Sequence, residues 1–438
     1  MMKRISTALA GVTLLLSMTA SAQKVNFTEY DLENGLHVIL HNDNSAPVVA
    51  VSVMYHVGSK NEDTARTGFA HFFEHLLFEG SDNIKRGEFM KFVSSNGGNN
   101  NANTSQDRTF YYEVFPSNQL ETGLWLESER MMHPVINEIG VNTQREVIKE
   151  EKRLRVDNQP YGQFLTEILK RLYTKHPYRW APIGSMENLN AAKLDEFIAF
   201  FKKNYTPNNA VLSIAGDIDI EKTKTLVKAW FAGIPKGPQV IQPAIKEDPI
   251  TTAIVDSAYD ANIQIPAIML AYRTPGTKEK DQKVMDLVSE ILSGGASSRL
   301  RKKMVDEKKN ALQVGALSVS GEDYSTYVIY GLPNANKTLE EIMKDMDEEV
   351  VKLQTDLITD KELQKLKNTY ESQYADANLS SLRVAEELAS DYTYHRNTNR
   401  INTELSEYLS ISKEDIRAAA KKYLNKNQRL ILYYLPKK

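Results

Sequence analysis

Apolar residues along the first half of the chain fall into runs of two kinds. Residues 35–40, 48–57 and 109–115 are short runs rich in aliphatic and aromatic side chains, which is typical of strands. Residues 69–78 (FAHFFEHLLF) form a run that is apolar enough to predict a buried helix. We therefore expect residues 26–234 to combine strands and helices in one lobe.

The second half of the chain repeats this plan. Residues 263–294 have the same order as residues 48–80, a long apolar strand pattern followed by a helix pattern. A second similarity links the stretches that begin at Lys202 and Lys421, each of which reads as a helix end, a turn and a strand. The sequence predicts an α+β fold of two related lobes, each a mainly antiparallel sheet backed by helices.

Domain boundaries follow from the length of the chain and from one proline-rich stretch. A chain of 438 residues exceeds what one hydrophobic core usually organises. Prolines concentrate between Phe231 and Ile250, which is typical of a linker. We predict an N-terminal lobe at residues 23–235, a linker at residues 236–250 and a C-terminal lobe at residues 251–438.

The first 22 residues have the pattern of a secretory signal peptide. Two basic residues precede an apolar stretch that ends near Met18, and an A-x-A cleavage site ends at Ala22. Elsewhere, no apolar run approaches the ~18 residues needed to cross a bilayer. We predict an exported protein without a membrane span, periplasmic where the host has two membranes, whose mature chain begins at Gln23.

Charge and cysteine content narrow the classes of function. A formal net charge of -3 provides no overall basic field to attract nucleic acid. The absence of cysteine from the sequence excludes disulfides, thiol catalysis and thiolate metal sites. Any metal must therefore be bound by His, Asp or Glu.

Two histidines and a glutamate interrupt the apolar helix pattern of residues 69–78. His71 and His75 lie four residues apart on one helix face, where both imidazoles can bind one ion. Glu74 lies beside that face, where its carboxylate can reach an attacking water and act as a general base. The alternative is a pair of core histidines with structural roles, which fits the HxxEH spacing less well.

The corresponding helix of the second half lacks these polar groups. Aligning the two halves at Gly80 and Gly294 places Met285, Val288 and Ser289 opposite the trio. If both halves are built from one physical unit, the fold does not require the histidines and the glutamate. This comparison indicates that the two histidines and the glutamate have a chemical function rather than a structural one.

A catalytic zinc takes three protein ligands and leaves one position open, so a third ligand must come from elsewhere in the chain. A capping box of Thr143 and Glu146 predicts a helix that starts there. Its apolar face is defined by Val147, Ile148 and Leu154. Glu151 falls within this face and is the predicted third ligand, whereas Glu150 is predicted to be a solvated charge.

With these motifs, the chain resembles the pitrilysin and insulinase family of inverted-motif zinc peptidases, of the bacterial and mitochondrial-processing type. The stretches that carry the resemblance are GFAHFFEHLLFEGS, NNNANTSQDRTFYY, VIKEEKR and HPYRWAPIGSMENL. The resemblance implies one zinc per active site, bound by His71, His75 and Glu151, with Glu74 as the base. It also implies that the two lobes form half of a clamshell.

The resemblance further implies how a peptide binds. In the family, the stretch that matches Asn101, Ala102, Asn103 and Thr104 is an exposed edge strand beside the metal, on which the substrate adds as an extra strand. The alternative interpretation of this asparagine-rich stretch is a polar loop. The two interpretations predict different backbone conformations for the same four residues.

Two departures from the family pattern concern the surroundings of the site. Many relatives have a glutamate where this chain has Gln144. Active members pair an arginine with a tyrosine seven residues later to hold the substrate carbonyl, and the matching positions here are Asp306 and Gln313. The resemblance then implies a heterodimer in which a homologous subunit supplies the missing pair, with a homodimer as the other arrangement.

Together, these features predict a secreted zinc endopeptidase that hydrolyses short or unfolded peptides. The alternative is a non-catalytic peptide-binding or core subunit of a related heterodimer. A complete set of ligands and base favours the enzyme, because a binding lobe has no need of a base beside two ligands.

Overall fold

A computed structural model describes residues 24–437, and the predicted signal peptide, residues 1–22, lies outside them. The strands of this part of the chain are β1 (Thr28–Asp31), β2 (His37–Asn42), β3 (Val48–Tyr55), β4 (Asn99–Thr104), β5 (Thr109–Pro116), β6 (Ala210–Gly216), β7 (Ile254–Asp260), β8 (Ala267–Pro275), β9 (Ala311–Val319), β10 (Tyr324–Pro333) and β11 (Leu430–Pro436).

The α-helices of the described residues are α1 (Phe69–Leu76), α2 (Phe89–Ser95), α3 (Leu120–Met132), α4 (Glu138–Lys152), α5 (Phe164–Leu172), α6 (Met186–Ala191), α7 (Leu194–Asn204), α8 (Ile220–Phe231), α9 (Lys280–Ser293), α10 (Leu339–Thr355), α11 (Asp360–Ala377), α12 (Ser381–His395), α13 (Glu404–Leu409) and α14 (Lys413–Tyr423). Two further segments of the described residues, Arg153–Asp157 and Arg301–Glu307, are π-helical. Within residues 24–437, no helix has the length and apolar character that crossing a membrane requires.

The strands form two sheets with the same topology. Their orders are β1-β2-β6-β3-β5-β4 and β7-β11-β8-β10-β9, so that the sheets match strand for strand once β1 is set aside. In each sheet one pair is parallel, β2 with β6 and β7 with β11, and the other pairs are antiparallel. The predicted fold of two related, mainly antiparallel lobes is confirmed.

The element boundaries differ from the predicted ones by a few residues. The predicted helix at residues 69–78 is α1, which ends two residues earlier. The strand predicted to start at residue 263 is β8, which starts at Ala267. Pro266 precedes β8 and lacks the N–H group that would extend the ladder, which accounts for the late start.

Each sheet is covered on one face by a helix from the other half of the chain. α12 lies across β3 and β6 of the first sheet, and α5 packs on β8 and β11 of the second. The buried residues at the first contact include Ile39, Ala50, Met54, Val384, Ala385 and Leu388. Those at the second include Leu169, Leu172, Met269, Val328 and Leu432. Each half of the chain therefore packs against the sheet of the other half. The linker predicted at residues 236–250 stays a prediction.

A buried polar cluster also joins the two halves. Lys60, which is 1% exposed, lies 2.9 Å from Asp107 Oδ1 and donates to Glu322 Oε2. His56 Nε2 lies 2.8 Å from the same oxygen of Glu322. Glu322 lies in the turn between β9 and β10. Its contacts with Lys60 and His56 therefore attach this turn of the second half to the first half of the chain.

Candidate active site

Two glycines fix the start of α1. Gly68 precedes the helix with φ +97°, and Gly184 has φ +71°, a left-handed conformation that favours glycine at both positions. Their backbones are in contact, because a Cβ on Gly184 would lie 2.6 Å from the Cα of Gly68. The close approach holds the first turn of α1 against the stretch that follows Trp180. The fold thereby places α1 beside the edge strand β4 and against α4.

The HxxEH side chains converge on one face of α1. The ring centroids of His71 and His75 lie 4.9 Å apart. One ligand atom from each of His71, Glu74 and His75 lies within 4.8 Å of the others, and this is the single such group of metal-binding side chains among residues 24–437. The apolar side of the helix, with Phe72 and Phe73 fully buried, faces the core of the first lobe. The arrangement matches the geometry predicted from the sequence.

Glu151 reaches the same point from α4. Its Oε2 atom lies 3.2 Å from His75 Nε2 and 3.7 Å from His71 Nε2. Ligand atoms that bind one tetrahedral zinc at ~2.0–2.1 Å lie about 3.3 Å from one another. Both distances from Glu151 are close to this value, so its carboxylate lies within reach of an ion bound by the two imidazoles.

The start and the apolar face of α4 differ from the prediction. The helix begins at Glu138, where Asn137 caps it by accepting from Gly140 N at 2.9 Å. The capping box predicted at Thr143 is wrong, since this hydroxyl lies inside the helix and donates to Ile139 O.

The predicted apolar face is also wrong in part. Val147 and Leu154 are 44% and 56% exposed, whereas Ile148 is fully buried. Glu151 lies three residues after Ile148 and shares its inward face. Glu150 is exposed and pairs with Arg153 at 3.0 Å, as expected of a solvated charge.

The electrostatic surroundings favour the protonation states that a metal requires. Burial, together with the neighbouring His75, lowers the pKa of His71 to about 4, so its imidazole is neutral at neutral pH. The hydrogen bond from His75 holds the pKa of Glu151 below its ordinary value, so its carboxylate is charged. Neutral imidazoles and an ionised carboxylate are the ligand forms that bind zinc.

Glu74 is held by the neighbouring edge strand. Its Oε2 accepts a hydrogen bond of 2.7 Å from Thr104 Oγ1, at the end of β4. Burial raises the pKa of Glu74 above its ordinary value, against the effect of this hydrogen bond. A carboxylate with a raised pKa is a stronger base than an exposed one, which suits proton transfer near neutral pH.

Residues 101–104 lie in β4, an edge strand, rather than in a loop. Asn101 and Asn103 are exposed, while Ala102 and Thr104 turn toward the interior. Ser105 N donates to Arg108 O, and the register continues with Asn103 opposite Phe110. By the alternation of antiparallel pairs, the N–H and C=O groups of Ala102 point away from β5, where another strand can pair with them.

Sequence reasoning missed two residues at the start of α1. Glu62 Oε1 accepts from Ala70 N at 2.9 Å, and its Oε2 accepts from Gly68 N at 2.9 Å and from Trp180 Nε1 at 3.1 Å. A signal was present, because Gly68 has no side chain with which to cap the helix that carries the histidines. An acceptor from elsewhere in the chain was therefore required.

The second half has no such cluster at the matching position among the described residues. Met285 and Val288 are fully buried in its core, and Ser289 donates to Ala316 O. Asp306 is exposed, and Gln313 donates to the hydroxyl of Tyr330 at 3.3 Å.

Near the site in the first lobe, Gln144 forms a hydrogen bond with a neighbouring glutamate. Its side-chain amide donates to Glu79 Oε1. The position at which the family resemblance implies a glutamate is thus occupied by a hydrogen-bonded amide.

Similarity to known proteins agrees with this picture. The family described as insulinase (peptidase family M16) matches residues 37–179, and the peptidase M16 inactive domain matches residues 191–370. The zinc protease PqqE of Helicobacter pylori is 31% identical over 97% of this chain and 96% of its own length. The uncharacterized zinc protease YmxG of Bacillus subtilis is 26% identical over 77% of this chain and 81% of its own length.

Solved structures show the same fold. The crystal structure of a protease from Helicobacter pylori matches with a TM-score of 0.89 and 30% identity, over 94% of this chain and 99% of that one. The periplasmic protease PqqL from Escherichia coli is 19% identical and shares the fold with a TM-score of 0.76, over 94% of this chain but 48% of its own. The chain therefore belongs to the pitrilysin and insulinase family of peptidases, family M16, as its motifs predicted.

Proposed function

We propose that this protein is an exported, zinc-dependent endopeptidase that hydrolyses short or unfolded peptides. The observation that carries the proposal is the convergence of His71, His75 and Glu151 on one point, with Glu74 beside them. Relatives named zinc proteases support the same activity. Export is supported by the signal-peptide pattern of the sequence and by a structural neighbour described as periplasmic.

Three side chains would hold the zinc ion. They are His71 and His75, through Nε2, and Glu151, through Oε2. When bound, zinc would act as a Lewis acid toward the peptide carbonyl and would make an attacking water more acidic. Three protein ligands leave one position open for the reaction, as in other catalytic zinc sites.

Glu74 would move the protons of the reaction. Thr104 holds Oε2 of this carboxylate, so we assign proton transfer to Oε1. There the carboxylate would accept a proton from the attacking water and later deliver it to the leaving amine. Because water is the nucleophile, no covalent bond to the protein is needed.

The edge of the first sheet would orient the substrate. The outward N–H and C=O groups of Ala102 would pair with an extended peptide, next to the carboxylate held by Thr104. Pairing through the main chain accepts many sequences, but it requires a segment that is free to become a strand. We therefore propose flexible peptides, rather than folded proteins, as the substrates.

A second subunit would complete the site. At the positions where active relatives have an arginine and a tyrosine, this chain has Asp306 and Gln313, and an acid cannot stabilise developing negative charge on a carbonyl oxygen. We propose a homologous subunit that supplies these donors in a heterodimer, with a homodimer as the other arrangement. A fold like this one accounts for about half of the longer PqqL chain, which supports a paired architecture.

The test is to measure zinc content and peptide hydrolysis for the wild type and for Glu74→Gln, each in the presence of the homologous subunit. The variant should retain zinc and lose hydrolysis by orders of magnitude, because an amide cannot accept the proton of the water. The alternative, a non-catalytic peptide-binding subunit, predicts peptide binding without hydrolysis for both proteins. Near-native turnover by Glu74→Gln would show that the base has been assigned wrongly.

A further inference from the structure

The start of α1 carries a contact that the proposed mechanism does not use. Glu62 is 8% exposed and places both carboxylate oxygens at the first turn of the helix. α1 has eight residues, about two turns, and a helix this short is not stable on its own in water. Gly68 cannot supply a side-chain cap, so the N–H groups of Gly68 and Ala70 depend on Glu62 for their acceptor.

We propose that Glu62 is a positioning residue for the metal site, acting by fixing the first turn of α1 and with it the imidazole of His71. The inference rests on the proposed function, since it assigns His71 to the zinc. Ala70, whose N–H is bound by Glu62, directly precedes His71 in the chain. A shift of this turn would move His71 relative to Glu151, which comes from another helix, and ligand distances tolerate only ~0.2 Å.

The contacts of Glu62 favour its ionised form. All three groups that it contacts, the N–H groups of Gly68, Ala70 and Trp180, are donors. Burial raises the pKa of Glu62 to about 8 even though the backbone donors of Ala70 and Gly68 act to lower it, so the carboxylate prevails above about pH 8. This is the form that satisfies the geometry, because a proton on either oxygen would compete with one of these bonds. Its negative charge also interacts favourably with the positive end of the helix dipole.

Trp180 holds Glu62 in place. Its indole N–H lies 3.0 Å from Ser59 O and 3.1 Å from Glu62 Oε2, so it bridges the segment before α1 and the carboxylate. Trp180 belongs to the stretch HPYRWAPIGSMENL, which also contains Gly184, in contact with Gly68. This stretch thus has a physical role, since it supports the helix start from two sides.

The experiment compares Glu62→Gln and Trp180→Phe with Asp219→Asn. Asp219 caps α8 by accepting from Lys222 N at 2.8 Å, so its change to an amide is a matched control at a helix remote from the zinc ligands. Zinc affinity is measured by competition with a chelator, and ligand geometry by the visible absorption of the Co²⁺ form. Glu62→Gln should weaken zinc binding by about tenfold or more and change the Co²⁺ spectrum, as loss of outer contacts does at other zinc sites.

The outcomes separate this inference from the proposed function. Asp219→Asn should keep the wild-type zinc affinity and Co²⁺ spectrum. The zinc affinity of Trp180→Phe should lie between that of Asp219→Asn and that of Glu62→Gln, because Glu62 loses one of its three donors. A wild-type affinity and spectrum for Glu62→Gln would overturn the positioning role even if the wild type cleaves peptides. If Glu62→Gln does not fold, Trp180→Phe decides: weaker zinc binding at an unchanged Tm supports the role, and unchanged binding rejects it. A wild type that binds no zinc would reject both proposals.

Discussion

Thr104 Oγ1 donates a hydrogen bond of 2.7 Å to Glu74 Oε2, so the strand that would pair with the substrate also holds the proposed base. The contact links peptide binding and proton transfer through one residue. It also explains why Thr104 is polar although its side chain points inward, whereas the preceding inward-pointing residue of β4 is the apolar Ala102.

Replacing Thr104 should affect turnover more than substrate binding. Thr104→Val keeps the shape of the side chain and removes the donor to Glu74. We expect kcat to fall by about 10- to 100-fold, since a hydrogen bond to a charged group contributes ~1.5–3 kcal/mol, with KM and zinc content little changed. Thr225→Val, which removes an exposed bond to Glu221 O, is the control. Equal kcat for Thr104→Val and the wild type would contradict the assignment.

The two neighbouring glutamates of α4 should differ in zinc affinity. Glu151→Gln replaces a charged ligand with a weaker, neutral one, so zinc binding should weaken by at least about 100-fold. Glu150→Gln changes an exposed residue paired with Arg153 and should bind zinc as the wild type does. Competition with a chelator measures both values. Similar losses in the two variants would mean that Glu151 is not a ligand.

Binding at the β4 edge should depend on alternate amides of the substrate. In an antiparallel pair, every second residue of the peptide directs its N–H toward the neighbouring strand. A series of peptides that are N-methylated at one position at a time should therefore show KM raised at every second position near the cleaved bond. A uniform effect, or none, would exclude strand pairing with β4.

Activity should depend on a partner subunit. The isolated chain should hydrolyse peptides slowly, because Asp306 and Gln313 stand where relatives have the arginine and tyrosine that hold the carbonyl. Adding the homologous subunit should raise kcat/KM by orders of magnitude, and removing the partner's arginine or tyrosine should reverse the increase. Full activity of the isolated chain, unchanged by the partner, would reject the heterodimer.

The buried cluster between the halves should make stability depend on pH. Burial alone would raise the pKa of Glu322, but contacts with His56 and Lys60 hold it well below its ordinary value of 4.5. Because the folded pKa is the lower one, the stabilisation is complete above the unfolded pKa and is lost as the pH falls below it. The free energy of unfolding in urea should drop between about pH 5 and 3, and less steeply for Glu322→Gln. The exposed Glu221→Gln control should keep the wild-type slope.

Local patterns explain how much of the structure could be predicted. The repeated strand and helix patterns gave the two lobes because each lobe buries its own apolar face. The HxxEH spacing placed both imidazoles on one face because helix geometry alone sets that relationship. The start of α4 was misplaced because a capping box at Thr143 competes in sequence with the cap that forms at Asn137.

Contacts between distant parts of the chain account for the rest. Glu62 caps α1 from outside the helix, and no spacing rule links it to Trp180. Glu151 reaches the imidazoles with Ile148 as its buried neighbour, although two of the three residues of the predicted apolar face are exposed. The exchange of α5 and α12 has no local pattern, because both are ordinary amphipathic helices whose partners are set by tertiary packing.

That exchange has a consequence for handling the protein. A protease that cuts the backbone between α8 and β7 would leave α12 buried on the first sheet and α5 on the second, so the two fragments would remain associated. Expressing residues 23–235 alone would instead expose one face of the first sheet and the apolar side of α5 to water, a surface prone to aggregation. Because each half buries a helix of the other, we expect the two halves to unfold together rather than one after the other.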